Sequence, residues 1–171
     1  MIIIRHRVNT LAELKEVKEG QGAEIDLRYH EDEIILHHDP LGHHRVKPFL
    51  FKDFLSSWNS KGPLILNIKT EGIENLCIEF MNNFKISNWF FLDLSMPYFV
   101  KFTDKAFNQE IQGFSSYNLA ARFSEREPLE YAISFMGKAN WIWVDCFSYL
   151  PLDLDILDDF AGYGLADLGK P

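Results

Sequence analysis

Short apolar runs alternate along the chain with segments in which apolar residues recur every three or four positions. The apolar runs predict strands at residues 2–6, 23–29, 63–69, 89–94, 119–124 and 141–147, with a short extended arm at 34–38 beside the second strand. The wider spacing predicts helices at residues 10–19, 51–58, 73–84, 127–136 and 152–160, and a short helix after Pro97. Strands that alternate with helices are typical of parallel sheets joined by crossover helices.

Every predicted strand ends in a polar or charged side chain. These residues are His6, Glu24 with Asp26, Asn67 with Lys69, Asp93, Arg122 or Ser124, and Asp145. A (β/α) barrel places such groups at the carboxyl ends of many strands, whereas an open sheet gathers them at one switch point. We therefore predict an α/β fold of the TIM-type (β/α) barrel, as a single domain over residues 1–171. A complete barrel takes roughly 200 residues or more. We thus expect the barrel to be short or incomplete at the C-terminus, the chain to be a truncated form, or a partner to close the barrel. Separately, the chain could form a homo-oligomer.

The composition narrows the classes of protein to consider. The chain has 171 residues, of which 47% are hydrophobic and 15 are Phe, so it can bury a large core. Its net charge of -8 argues against nucleic acid as a partner, because contacts with phosphates need clustered Lys and Arg. No apolar run approaches the roughly 20 residues of a membrane span, and the N-terminus lacks the pattern of a signal peptide. We therefore expect a cytoplasmic protein without a membrane span.

Two groups of reactive residue types are predicted to lack a functional role. Cys77 and Cys146 lie in apolar surroundings outside any CxxC pair, which predicts reduced core thiols. His37, His43 and His44 do not follow a zinc spacing, and we interpret them as part of a solvated loop.

A pair of carboxylates on the second predicted strand is a candidate metal site. Glu24 and Asp26 are two residues apart, so their side chains project from the same face of the strand. Two carboxylates buried together repel each other, and a divalent cation removes that cost. Oxygen ligands of this kind suit Mg²⁺ or Ca²⁺. The alternative is an exposed pair on an edge strand.

Two histidines and a lysine follow neighbouring strands. His6 and His38 could act as general acid and base near neutral pH, with Asp39 either orienting a ring or capping the turn at Pro40. Lys69 ends a strand that also carries Asn67 on the same face. A lysine that points into a barrel needs an anion, for which a phosphate would serve, whereas a lysine at the strand end can also extend into solvent.

In these residues the chain resembles the glycerophosphodiester phosphodiesterases, a family of the phospholipase-C-like phosphodiesterases. That family carries HRG with a nearby Asn-Thr, then ExD, then HD, then a strand with ExK. The matching segments here are His6-Arg7 with Asn9-Thr10, Glu24-Ile25-Asp26, His38-Asp39 and Asn67-Ile68-Lys69. After Lys69 the resemblance rests on strand order and a few polar strand ends. The family fold is a TIM-type barrel.

The resemblance implies hydrolysis of a small phosphodiester to an alcohol and a phosphomonoester. His6 and His38 would be the acid and base, and Glu24 and Asp26 would bind the divalent cation, with Asn67 at the position of the third ligand. Arg7 and Lys69 would contact the substrate phosphate. Asp93, Arg122 and Asp145 are further polar candidates for the pocket, and Asp93 or Asp145 could assist the cation.

Three departures from the family pattern leave alternatives open. Val8 replaces the glycine of HRG, Asn67 replaces a Glu that binds the metal, and the last barrel strands are missing from the predicted elements. One alternative is a relative that binds a phosphate-containing ligand without catalysis. Another is a barrel lyase that releases a cyclic phosphate as its final product.

Overall fold

The structure is a computed structural model that describes residues 2–41 and 47–161 and the backbone of 164–167. The chain divides into two compact units, Met1–Ser95 and Met96–Pro171. The prediction of a single domain stays a prediction. His43 and His44, like the last residues of the chain, lie outside the described residues.

The first unit is built on a mixed sheet of six strands. They are β1 (Ile4–Arg5), β2 (Gly22–His30), β3 (Glu33–Leu36), β4 (Phe49–Leu50), β5 (Leu64–Ile68) and β6 (Trp89–Leu92). The order is β4-β3-β2-β5-β6, and β1 pairs with the beginning of β2. Strands β1 and β5 run parallel to β2, and β6 runs parallel to β5. Strand β3 runs antiparallel to β2, and β4 runs antiparallel to β3.

The first unit also contains helices α1 (Leu11–Lys15), α2 (Phe51–Ser57) and α3 (Glu74–Asn83). Thr10 caps α1 through a capping box with Glu13: the Thr10 hydroxyl accepts from the Glu13 N–H at 3.2 Å, and the Glu13 carboxylate accepts from the Thr10 N–H at 2.9 Å. The helix predicted at residues 10–19 is therefore confirmed at its start but ends earlier, with Glu16 as its C-cap. Helices α2 and α3 lie within their predicted ranges.

Both faces of the central strands in the first unit are buried. Ala23, Ile25 and Leu27 on one face of β2 are completely buried, and all five residues of β5 are buried as well. Continuous burial of this kind is typical of parallel strands that are covered on both sides. The opposite face of β2 carries Glu24 and Asp26, and these two side chains are buried as well. The edge-strand alternative for this carboxylate pair is therefore wrong.

The second unit contains a parallel sheet with the order β7-β8-β9. Its elements are α4 (Met96–Phe107), a 3-10 helix (Ser116–Asn118), β7 (Ala120–Ser124), α5 (Leu129–Ile133), β8 (Trp141–Asp145), α6 (Leu154–Asp159) and β9 (Gly164–Asp167). Strands β7 and β8 confirm the two predicted strands of this region, whereas β9 was missed. Cys77 in α3 is a buried thiol as predicted, but Cys146 after β8 is partly exposed.

The predicted TIM-type (β/α) barrel is wrong. The described strands form a mixed six-stranded sheet and a separate three-stranded sheet instead of one closed barrel. A tight turn reverses the chain after β2, with Glu31 and Asp32 both in the left-handed region at φ 46° and 64°. Positive φ at both central residues is the geometry of a type I′ hairpin, so β3 returns antiparallel along β2. Strand–helix alternation is a local pattern and does not determine which strands pair.

Candidate functional site

The strand pairing in the first unit brings most of the predicted site residues together. On β5, Asn67 lies directly opposite Asp26 of β2, and Glu24 projects from the same face of β2 two residues earlier. Strand β1 pairs with the start of β2, which places His6 and Arg7 beside Glu24. Glu24, Asp26 and Asn67 are 2%, 0% and 7% exposed. A buried polar cluster therefore occupies this face of the sheet.

Glu24 is held in the charged form by three neighbours. One carboxylate oxygen, Oε2, accepts from the Arg7 backbone N–H at 2.7 Å and lies 3.6 Å from Nδ1 of His6. The other, Oε1, accepts from Nδ2 of Asn67 at 2.7 Å. Burial by itself raises the pKa of Glu24, but the hydrogen bonds and the charge of His6 together bring that pKa below its ordinary value.

The pKa of Asp26 is shifted in the opposite direction. Its Oδ2 accepts from Nδ2 of Asn9 at 2.7 Å, and its backbone N–H donates to Oδ1 of Asn9 at 2.9 Å. Burial, followed by the negative charge of Glu24, raises the pKa of Asp26 above its ordinary value, although Asn9, Lys69 and His38 act against this. Two adjacent buried carboxyl groups thus differ in how readily they take up a proton.

The oxygen atoms of this cluster fit a divalent cation. Oδ1 of Asp26 and Oδ1 of Asn67 are both buried and have no hydrogen-bond partner among the described residues. Buried acceptors without a partner are costly, and carboxylate and amide oxygens are ligands for Mg²⁺ and Ca²⁺. No group of three His, Cys, Asp or Glu residues suited to a metal occurs in the described part of the chain, so a site here depends on the amide of Asn67.

Each predicted catalytic histidine has a carboxylate neighbour at Nδ1. His38 lies 2.9 Å from Oδ1 of Asp39, and His6 lies 3.6 Å from Glu24. The hydrogen bond with His38 is the main cause that lowers the pKa of Asp39. Both imidazoles are about 40% exposed, so solvent or a substrate can reach them. A carboxylate at one ring nitrogen orients the ring and leaves proton exchange to the other.

Two cationic residues adjoin the cluster, Lys69 through its side chain and Arg7 through its backbone N–H. Nζ of Lys69 lies 3.6 Å from Oδ1 of Asp26 and 3.3 Å from Oδ2 of Asp93. The predicted residue Asp93 is therefore linked to the cluster by its ion pair with Lys69. Arg7 is exposed, and its guanidinium makes no hydrogen bond or ion pair with any described residue. Arg7 and Asp93 both adopt left-handed backbone, at φ 52° and 58°. Such conformations are strained for non-glycine residues and cluster at functional sites.

Arg28 was missed as a member of the site. It follows Glu24 and Asp26 at the same two-residue spacing, and this parity could have identified it. Its guanidinium donates to the backbone carbonyl oxygens of His38 and Lys69. Asn9 was noted as part of a motif, but its direct contact with Asp26 was not predicted.

Two predicted pocket residues lie in the second unit, where they pair with each other. Nε of Arg122 lies 2.9 Å from Asp145 and 3.2 Å from Glu127. Trp143 Nε1 donates to Asp145 at 3.1 Å, and the hydroxyl of Ser124 donates to Glu127 at 2.6 Å. These residues form a polar network at the ends of β7 and β8. Their predicted role in a substrate pocket stays a prediction.

The chain matches no protein-family model and no curated protein. The resemblance described above therefore rests on the motif residues from His6 to Lys69 and, after Lys69, on a few polar strand ends. Among the described residues, no helix is long and apolar enough to cross a membrane.

Proposed function

We propose that this protein hydrolyses a small phosphodiester, of the glycerophosphodiester type, with two histidines as general acid and base and a divalent cation, Mg²⁺ or Ca²⁺. The observation that supports this most is the buried cluster of Glu24, Asp26 and Asn67, with an imidazole and the ammonium of Lys69 at its border. A binding site for a metal and a phosphate needs this combination of oxygen ligands, a proton carrier and positive charge.

Glu24, Asp26 and Asn67 would hold the cation, which when bound polarises the phosphoryl oxygens and stabilises their developing charge. Asn9 orients the carboxylate of Asp26 through its two hydrogen bonds. The exposed guanidinium of Arg7 has no hydrogen bond or ion pair within the described part of the chain, and it would bind a phosphate oxygen. Lys69 adds a second positive charge, which Asp26 and Asp93 partly neutralise.

The histidines would move the protons of the reaction. One imidazole takes the proton of the attacking hydroxyl or water while the oxygen of that hydroxyl or water bonds to phosphorus. The other imidazole gives a proton to the oxygen of the leaving alcohol as that P–O bond breaks. In glycerol-type substrates a neighbouring hydroxyl can attack first and form a cyclic phosphate, which water then opens, as the family resemblance implies.

The test is turnover of bis(p-nitrophenyl) phosphate and a panel of glycerophosphodiesters with Mg²⁺ or Ca²⁺. We expect His6→Ala and His38→Ala each to lower kcat by about 10²- to 10⁴-fold. His30→Ala is a matched control, because His30 is a histidine of the same unit with a similar exposure of 41% and pairs with Glu31 instead. Absence of turnover, or turnover that survives both variants, would refute the proposal.

One contact favours a second candidate, a relative that binds a phosphate-containing ligand without hydrolysis. Nδ2 of Asn67 donates to Glu24 and thereby occupies an oxygen that a cation would otherwise use. Such a protein would gain thermal stability from glycerophosphodiesters but release no product. Phosphorus NMR of the reaction separates the outcomes, because a phosphomonoester indicates hydrolysis and a lasting cyclic phosphate indicates a lyase.

A further inference from the structure

Arg28 joins the ends of two strands that carry site residues. Its Nε and Nη2 donate to the carbonyl oxygen of His38 at 3.1 and 2.7 Å. Its Nη1 donates to the carbonyl oxygen of Lys69 at 3.2 Å. One half-buried guanidinium therefore holds the backbone of a predicted catalytic residue and of a predicted phosphate contact at the same time.

These two carbonyls lie beyond the regular sheet. Strand β3 ends at Leu36 and β5 ends at Ile68, so His38 and Lys69 follow the last paired residues. The ladders themselves rely on backbone hydrogen bonds: β2 pairs with β3 from Leu27 to His30 and with β5 up to Leu27. Backbone bonds also reach the residues that follow, since the N–H of Lys69 donates to the carbonyl oxygen of Leu27 at 2.9 Å. What the Arg28 side chain adds is a direct link between the carbonyl oxygens of His38 and Lys69.

The shape of the guanidinium suits this task. Its donors lie in a rigid planar fork, so contacts with one carbonyl fix the direction of the contact with the other. A lysine has a single ammonium on a flexible stem and cannot reproduce three donors in this arrangement. Among the described residues, the guanidinium of Arg28 donates only to main-chain oxygens, so the side chain acts on backbone positions.

We propose that Arg28 is a positioning residue for the phosphodiesterase site: it sets the spacing between the His38 imidazole and the Lys69 ammonium so that both can contact one substrate phosphate. The expected effect on catalysis rests on the proposed function. The effect of Arg28 on the positions of His38 and Lys69 exists in the protein without substrate. A displacement of about 1 Å in a reacting group can lower a rate about 100-fold.

The test compares Arg28→Met and Arg28→Lys with Arg5→Met. Arg5 is a suitable control because it is an arginine of the same unit whose guanidinium pairs with the exposed Glu16, outside the cluster. We expect both Arg28 variants to shift the ring signals of His38 in proton–carbon NMR spectra, whereas Arg5→Met should leave these signals unchanged. With bis(p-nitrophenyl) phosphate, kcat should fall about 10- to 100-fold while KM changes less.

The NMR arm separates this inference from the proposed function. If the wild-type protein has no turnover, the proposed function fails, and displacement of the His38 signals still decides whether Arg28 positions that residue. Unchanged His38 signals in folded Arg28→Lys would overturn the inference, and so would a loss of thermal stability with kcat retained. Should Arg28→Met fail to fold, Arg28→Lys supplies both readouts.

Discussion

At the scale of single residues, Glu24 and Asp26 show how neighbours can separate two similar groups. Both are buried on one face of β2, yet Glu24 has hydrogen-bond donors at both oxygens, whereas Oδ1 of Asp26 has none. Burial raises the pKa of both carboxyl groups, but at Glu24 the hydrogen bonds and His6 outweigh it, so the pKa of Glu24 falls and that of Asp26 rises. Of these two residues, Asp26 is the one whose charge is less stable without a cation.

Asp26→Asn tests this charge penalty. The pKa of Asp26 is raised in the folded state. The neutral carboxyl group therefore stabilises the folded wild-type protein below the ordinary pKa, and this contribution to stability is lost as pH rises through the raised pKa. In the presence of a chelator we expect Asp26→Asn to be more stable than wild type near neutral pH, with the difference shrinking in acid. Urea unfolding at several pH values measures this. A variant less stable than wild type at every pH would contradict it.

Asn67→Glu restores the Glu that the family pattern has at this position and tests whether a third carboxylate strengthens cation binding. The substitution removes the hydrogen bond from Nδ2 to Glu24 and adds a buried negative charge, so we expect it to destabilise the cation-free protein by about 1–3 kcal/mol. It should also tighten binding of Mg²⁺ or Ca²⁺ by roughly ten-fold or more, because added ligand charge raises cation affinity. Calorimetric titration measures the affinity, and Asn67→Gln controls for side-chain length. Equal affinities for the Glu and Gln variants would contradict a cation site at this position.

At the scale of secondary-structure elements, the segment after β8 depends on one acidic side chain. The carboxylate of Glu125 accepts from the backbone N–H of Phe147 at 3.0 and 3.2 Å and from that of Ser148 at 2.6 Å. Burial opposes ionisation of Glu125, but the hydrogen bonds to its carboxylate outweigh that effect and lower its pKa. The turn after β7 thereby holds the chain that follows β8.

Glu125→Gln should loosen this segment. An amide oxygen is a weaker acceptor than a carboxylate, so we expect the amides of Phe147 and Ser148 to lose protection from hydrogen exchange. In wild type the same protection should decline as pH falls through the lowered pKa of Glu125, because protonation removes the charge. Glu130→Gln is the control, since Glu130 is an exposed acid of the same unit. Equal protection factors in the two variants would disprove the role of Glu125.

At the scale of the whole molecule, the charge distribution limits what the protein can bind. The net charge is -8, and Arg7 and Lys69 are local cations within an acidic chain. A small phosphodiester needs only such local contacts, whereas a nucleic acid needs many Lys and Arg contacts along its backbone.

We therefore expect no measurable binding of duplex DNA at physiological ionic strength. Fluorescence anisotropy of a labelled duplex, titrated with protein up to high micromolar concentrations, measures this. A salt-sensitive rise in anisotropy would contradict the prediction, because it would reveal clustered phosphate contacts. A basic DNA-binding domain of similar size is the positive control.

Local patterns in the sequence account for much of the candidate site. The two-residue period of a strand was sufficient to place Glu24 and Asp26 on one face, and the same period extends to Arg28. The helix predicted from residue 10 begins at its capping box, which Thr10 and Glu13 form three residues apart. Each of these features depends only on neighbours a few residues away, and so it can be read from the chain.

Tertiary structure alone decided the strand pairing and its consequences. The sequence by itself determined which residues share a face, but not that Asn67 lies opposite Asp26, or that Arg122 pairs with Asp145 in the second unit. It also predicted a TIM-type barrel, short or incomplete at the C-terminus, whereas β3 turns back along β2 and the strands divide between two sheets. Periodicity is set by local backbone geometry, while pairing depends on contacts between segments far apart in sequence, whose energies no single segment contains.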